Sequence, residues 1–124
     1  MNTVTLVGTI QGPIEIRYSR DGVALSTLRV AHARPIRNSE LDNGETEVDV
    51  FEVVCHGEMA ENVALTLDTK MLAQVTGSIT YLSTVDDEGQ VQRRVVIDAS
   101  DVAPSLRLAT AEVVRTERRH PSEV

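Results

Sequence analysis

Aromatic residues are almost missing from this 124-residue chain: Tyr18, Phe51 and Tyr81 are the complete set, and there is no tryptophan. A surface that gripped flat ligands mainly by ring stacking would have little to work with. Cysteine is nearly absent too. Cys55 stands alone, so no intrachain disulfide can form and nothing suggests an oxidising compartment. No run approaches the roughly 18 consecutive apolar residues of a membrane span. The first residues show no basic stretch followed by an apolar run and a cleavage site, so a soluble, cytoplasmic protein is expected. Lysine is scarce as well: Lys70 is the single one beside eleven arginines. The formal net charge of −7 argues against indiscriminate binding of polyanions.

What is present is unevenly placed. Between Ile14 and Arg37 stand Arg17, Arg20, Arg29, Arg34 and Arg37 against Glu15 and Asp21, a local excess of +3. From Asn38 to Asp68 there are nine acids and no lysine or arginine. Arginine has a flat guanidinium that pairs with phosphate oxygens and also stacks on rings. The plain alternative is a solvated surface with chance clustering.

Periodicity sets out the elements. Val4, Leu6, Gly8 and Ile10 alternate and run into Gly12-Pro13, a strand and a turn. Ile14, Ile16 and Tyr18 alternate next, and Asp21-Gly22 turns the chain into Val23 to Arg34, with Ala24, Ser26, Leu28, Val30 and His32 on one face. Arg37 to Thr46 is polar and reads as a protruding loop. Val48 to Cys55 is rich in β-branched residues and predicts a strand. Glu58 to Leu67 holds the helix, Met71 to Leu82 the next strand, and Asp86 to Gly89 a hairpin turn before Val91 to Ala99. Leu106 to Val114 fits a short helix or an added strand. Five strands with one short helix between the third and the fourth is the order of an OB-fold, an all-β Greek-key barrel. Residues 1–107 are expected to form that domain, with 108–124 a short polar, flexible extension.

Several segments carry a specific likeness. Asn2-Thr3-Val4-Thr5-Leu6-Val7-Gly8 resembles the opening strand of the bacterial single-stranded DNA-binding proteins. Ile16-Arg17-Tyr18 with Asp21-Gly22 is similar to their next hairpin, and Leu28-Arg29-Val30-Ala31 to the strand that follows. The run from Phe51 through Cys55-His56-Gly57 to Ala64 resembles their central strand, glycine turn and helix, and is the most specific piece. Val75-Thr76-Gly77-Ser78-Ile79 is similar to their strand with an inner glycine. The likeness covers about residues 2 to 103.

This resemblance implies a homotetramer, or dimer of dimers, that covers single-stranded DNA without sequence preference in replication, recombination or repair. Such binding uses a cationic groove for the backbone and aromatic platforms for the bases. The family's stacking positions match Val50 and His56 here, with another near Ile36, so one imidazole stands where rings are usual, and Glu52 adds a negative charge to the same face. The family's acidic recruiting tip has no counterpart in Leu108 to Val124, whose three acids and three arginines cancel, which fits a shortened paralogue.

The expected DNA contacts are Arg17, Arg29, Arg34, Arg37, His56, Lys70, Tyr81, Arg93 and Arg94, with the arginines aligned along a common wall. Arg93 and Arg94 must point to opposite sides of their strand, and Lys70 sits in a turn. The expected oligomer interface is Asn2, Val4, Leu6, Gly8 and Phe51, because an apolar edge strand without charge invites pairing with its copy. Enzymatic readings find little support. Cys55 and His56 are strand neighbours and face opposite ways. Asp86-Asp87-Glu88 lacks the spaced ligands of a calcium loop, and His32, His56 and His120 lack metal-ligand spacing. No phosphate loop is present and no cofactor is implied. Two functions remain: single-stranded DNA binding, favoured by the arginines of residues 14–37, and an OB-fold protein-interaction or co-assembly module, favoured by the few aromatics and the net acidity.

Overall fold

The computed structural model describes residues 1–35 and 46–116 of the chain. Alternation of apolar and polar residues drives the strands: β1 (Val4–Ile10), β2 (Glu15–Tyr18), β3 (Ala24–Pro35), β4 (Thr46–His56), then helix α1 (Gly57–Thr66), and β5 (Leu72–Val85) and β6 (Val91–Pro104). The sheet runs β1-β5-β6-β4-β3-β2, and a further pairing of β1 with β3 closes it. The closed ring holds five strands, with α1 between its third and fourth in chain order. The sixth, β2, is a four-residue arm that among the described residues pairs only with β3. This is the expected OB barrel. All pairings are antiparallel except a short seam joining Val53 to Ile97 and Val54 to Asp98.

Closure happens over a few residues. Along Val4–Thr9, β1 pairs with β5, and at Thr9 and Ile10 it also pairs with Ala31 and Val30 of β3. To serve both partners the backbones must pass very close, and glycine makes that possible. A Cβ built at Gly8 would stand less than 3.0 Å from the Ala31 carbonyl oxygen and from Val30 Cγ1. At Gly77 it would crowd the Asp98 carbonyl oxygen in the same way. Gly77 also borders a bulge. Gly77 pairs with Ala99 and Thr76 with Asp101, which leaves Ser100 as the extra residue, its hydroxyl donating to the Thr76 carbonyl at 3.1 Å. That extra residue breaks the two-residue period after Ala99, so β6 continues to Pro104 where the sequence pattern suggested an end. β5 likewise extends to Val85, because Val85 still pairs with Val91 across the Asp86 turn.

The core fills the ring from every strand but the arm: Leu6, Ile10, Leu28, Val30, Val53, Cys55, Val75 and Ile97 are buried. Helix α1 plugs one end with Ala60 and Val63, followed by Leu67 at its end. Burying a Val or Leu side chain contributes about 1.5–3 kcal/mol, so this cluster supplies most of what holds the barrel. Residues 105–116 form neither the helix nor the strand expected for Leu106 to Val114. Leu106, Leu108, Val113 and Val114 are all strongly exposed, so the segment has no apolar burial to offset the entropy of ordering a regular element.

Cys55 belongs to this core and is fully enclosed. Burial pushes its thiol up to about 11, the Ser26 hydroxyl opposite it on β3 pulls it back in part, and Asp98 pushes the same way as burial. The unfolded chain releases this proton from about pH 9. The folded chain keeps it until about pH 11, so stability falls as pH rises between those values.

Gly8→Ala and Gly77→Ala should each cost about 2–4 kcal/mol in urea unfolding followed by circular dichroism, against about 0.5–1 kcal/mol for Ser100→Ala. A Gly8→Ala protein as stable as the parent would contradict the closure described. Between pH 8 and pH 10.5 the parent should lose about 1–2 kcal/mol more than Cys55→Ala does. Parallel pH profiles for the two proteins would show that the thiol does not titrate as its burial requires.

Candidate nucleic-acid interface

On β3 the side chains of Ala24, Ser26, Leu28 and Val30 turn inward, which sends Leu25, Thr27, Arg29 and Ala31 outward. Their partners on β4 are His56, Val54, Glu52 and Val50, and on β2 Arg17 stands opposite Leu25 and Glu15 opposite Thr27. One continuous outward face results, bounded by the β1–β2 turn and by β6. A groove of about 690 Å³ opens on it, lined by Gln11, Gly12, Pro13, Glu15, Thr27, Arg29, Val50, Glu52, Arg94 and Val95. OB barrels take up oligonucleotides on this side, between these two strands and the turns that flank them.

Of the nine residues expected to contact DNA, two line the groove: Arg29 from β3 and Arg94 from β6. The parallel seam between β4 and β6 brings Arg94 beside Glu52, Nε to Oε2 at 2.8 Å, and Glu52 is also the cross-strand partner of Arg29. The groove therefore balances two guanidinium groups against the carboxylates of Glu15 and Glu52. Arg17 is exposed on the same face, one row beyond. His56 points outward at the end of β4, 3.4 Å from Asp98, but it lines a different cavity, of about 760 Å³, between α1 and residues 111–116.

The common wall of arginines is corrected by the strand geometry. Arg29 and Arg34 are an odd number of residues apart on β3, so alternation turns them to opposite faces. Arg34 is committed elsewhere: Nε meets Asp49 at 2.6 Å and Nη2 meets Glu47 at 2.5 Å. The bond to Asp49 is the main reason its pKa is raised further, with Glu47 adding to it. Arg93 faces away from Arg94, its Cζ 4.4 Å above the Tyr81 ring, so one side of that ring is already covered. Tyr81 shares its face of the β5–β6 hairpin with its exposed partner Val95. Lys70 occupies the turn after α1 with φ of 72°, and its N–H donates to the Ile10 carbonyl at 2.8 Å. Arg37 lies outside the described residues.

On the expected interface strand it is the backbone edge, and not the even side chains, that faces outward among the described residues. Leu6 and Gly8 face the core, with Val4 packed against it, because the even positions of β1 are its inward ones. Asn2 is already engaged within the chain, its amide exchanging two hydrogen bonds with the backbone of Ile79. Phe51 remains partly exposed at 38%. Glu47 and Asp49, which hold Arg34, and Asp98 beside His56 escaped the sequence reading. The register that places Glu47 opposite Arg34 depends on the hairpin as a whole.

Catalysis finds no constellation at these places. The inward thiol of Cys55 and the outward imidazole of His56 are on opposite sides of β4 and share no proton. Asp86 closes its own turn, accepting from the Glu88 and Gln90 N–H groups and from the Gln92 amide, and the Gln90 bond above all holds its carboxyl below the ordinary range. Among the described residues no group of three His, Cys, Asp or Glu side chains is arranged to hold a metal ion, and no helix is long and apolar enough to cross a membrane.

Comparison with known proteins agrees with this geometry. The profile of the Single-strand binding protein family matches residues 1–105. The single-stranded DNA-binding protein of Corynebacterium glutamicum is 33% identical over 116 residues, which is 93% of this chain and 52% of that protein. Single-stranded DNA-binding protein 3 of Listeria innocua is 38% identical over 97 residues, 78% of this chain and 57% of its own length. The single-stranded DNA-binding protein of Mycolicibacterium smegmatis is 31% identical over 119 residues, 94% of this chain and 71% of its own. The chain thus spans about half the length of the first two of these relatives. A closed five-stranded barrel, an outward groove where β3 meets β4 and a profile match from residue 1 to residue 105 together place the chain in the Single-strand binding protein family.

Proposed function

We propose that this chain binds single-stranded DNA without sequence preference along the outward face of β3 and β4, in support of replication, recombination or repair. The observation that carries this is the groove holding Arg29 and Arg94 on the ligand-binding side of an OB barrel in this family. Arg17 extends the cationic face, and Tyr81, His56 and Lys70 are the outlying contacts for a strand that leaves the groove. The functional unit is the barrel of residues 1–107, with 108–124 as an extension, and its work is binding rather than chemistry. A nucleoid-associated location follows from such a ligand.

Self-association belongs to the same reading. Beyond its two-residue contact with β3, β1 pairs among the described residues with β5 on one side only, and the other edge of Val4–Gly8 suits pairing with a second copy. The apolar side chains of Ile79, Tyr81 and Val95 are exposed nearby in the fold's long hairpin and support a tetramer built on further contacts. A second reading, protein interaction or co-assembly with little DNA affinity, is favoured by one observation: Arg34 and Arg94 are already paired with carboxylates.

Titrating fluorescein-labelled dT oligomer with the full chain at several salt concentrations separates the two. Binding should weaken as salt rises, and Arg29→Met should lower affinity about 3- to 10-fold and flatten the slope of log K against log salt by about 0.7. Light scattering should give a mass several times that of one chain. No dT binding at low salt from an oligomer of normal mass would establish the interaction module instead.

A further inference from the structure

The groove contains its own competitor for phosphate. Glu52 reaches Arg94 at 2.8 Å, and the β3–β4 register sets it directly across from Arg29. One carboxylate thus stands between the two guanidinium groups that line the groove. Its side chain is 25% exposed against 49% for Arg94, so the acid is the more enclosed partner and the pair is partly shielded from solvent. A carboxylate and a phosphate offer the guanidinium the same thing, anionic oxygens for its planar donors. A phosphate arriving at Arg94 finds Nε taken and meets like charge behind it.

We propose that Glu52 is the residue that sets affinity and salt response in this groove, by occupying Arg94 until a nucleic-acid phosphate displaces it. The inference rests on the proposed DNA binding and goes beyond it by naming what limits it. Binding then involves an exchange of anions, one carboxylate out for one phosphate in, and Arg94 adds little net counterion release. The chain holds single strands through Arg29, apolar contacts such as Val50 and the sugar and base surfaces, with a shallower dependence on salt than its arginine content suggests. Weak, rapidly reversed binding is the result.

Neutralising Glu52 tests this. Glu52→Gln keeps the shape of the side chain, and Glu52→Thr suits a strand should the first variant fold poorly. Glu15→Gln is the control: it removes the same charge from the same groove, and Glu15 makes no ion pair among the described residues. With labelled dT oligomer and the full chain, Glu52→Gln should bind about 5- to 10-fold more tightly at low salt. Its log–log salt slope should steepen by about 0.7, the release expected for one freed phosphate contact on a single strand. Glu15→Gln should tighten binding by a smaller factor without changing the slope. In an Arg94→Met background Glu52→Gln should lose its slope effect, which shows that it acts through that guanidinium. A Glu52→Gln slope equal to that of the parent, or a gain that survives undiminished in Arg94→Met, overturns the role of Glu52 while leaving DNA binding intact. Failure of parent and variants alike to bind dT overturns the binding reading itself.

Discussion

Everything in this barrel depends on β1 serving two partners at once. Six of its residues pair with β5, and its last two also bridge to β3, so the sheet has no way to close except through the few atoms around Gly8. Closure shapes the interior and the exterior together. Inside, it lets side chains from five strands meet over α1. Outside, it bends β3 and β4 into a shallow trough and sets β6 along its border, which brings Arg94 within reach of a strand distant in sequence. The two glycine contacts are therefore as much a part of the groove as the side chains that line it.

Charge pairing is the second organising feature. The chain carries more carboxylates than cations, and the structure uses several of them to hold arginines: Glu47 and Asp49 on Arg34, Glu52 on Arg94. These pairs lie partly in solvent, which screens them, and each contributes little to folding free energy. Their consequence lies in occupancy. A guanidinium that already has an oxygen partner meets an incoming phosphate on different terms from a free one, and the difference follows from position in the sheet more than from composition.

The fold was largely legible in the residues, because the period of two along each strand, the Asp21-Gly22 and Asp86–Gly89 turns and the helical stretch after Gly57 are local signals. The Ser100 bulge was not, since an extra residue in one strand shows only when its partner is known. Residues 106–114 misled because their apolar content suggested burial, and among the described residues no surface covers them. The candidate site was legible in part. Arg29 is outward because Leu28 and Val30 are inward, a local inference. That Arg94 joins it, that Arg34 turns away to Glu47 and Asp49, and that His56 lines another cavity all follow from which strands lie side by side. Pairing across the β4–β6 seam leaves no trace in any short window of sequence.

The enclosure of Cys55 has a consequence for how copies of this chain meet. Its sole thiol is sealed beneath the sheet and stays protonated far above neutral pH, so it cannot bridge one subunit to another under oxidising stress. Self-assembly through the residues of this chain would therefore rest on noncovalent contacts and answer to concentration, forming and dispersing by mass action as the supply of chains rises and falls.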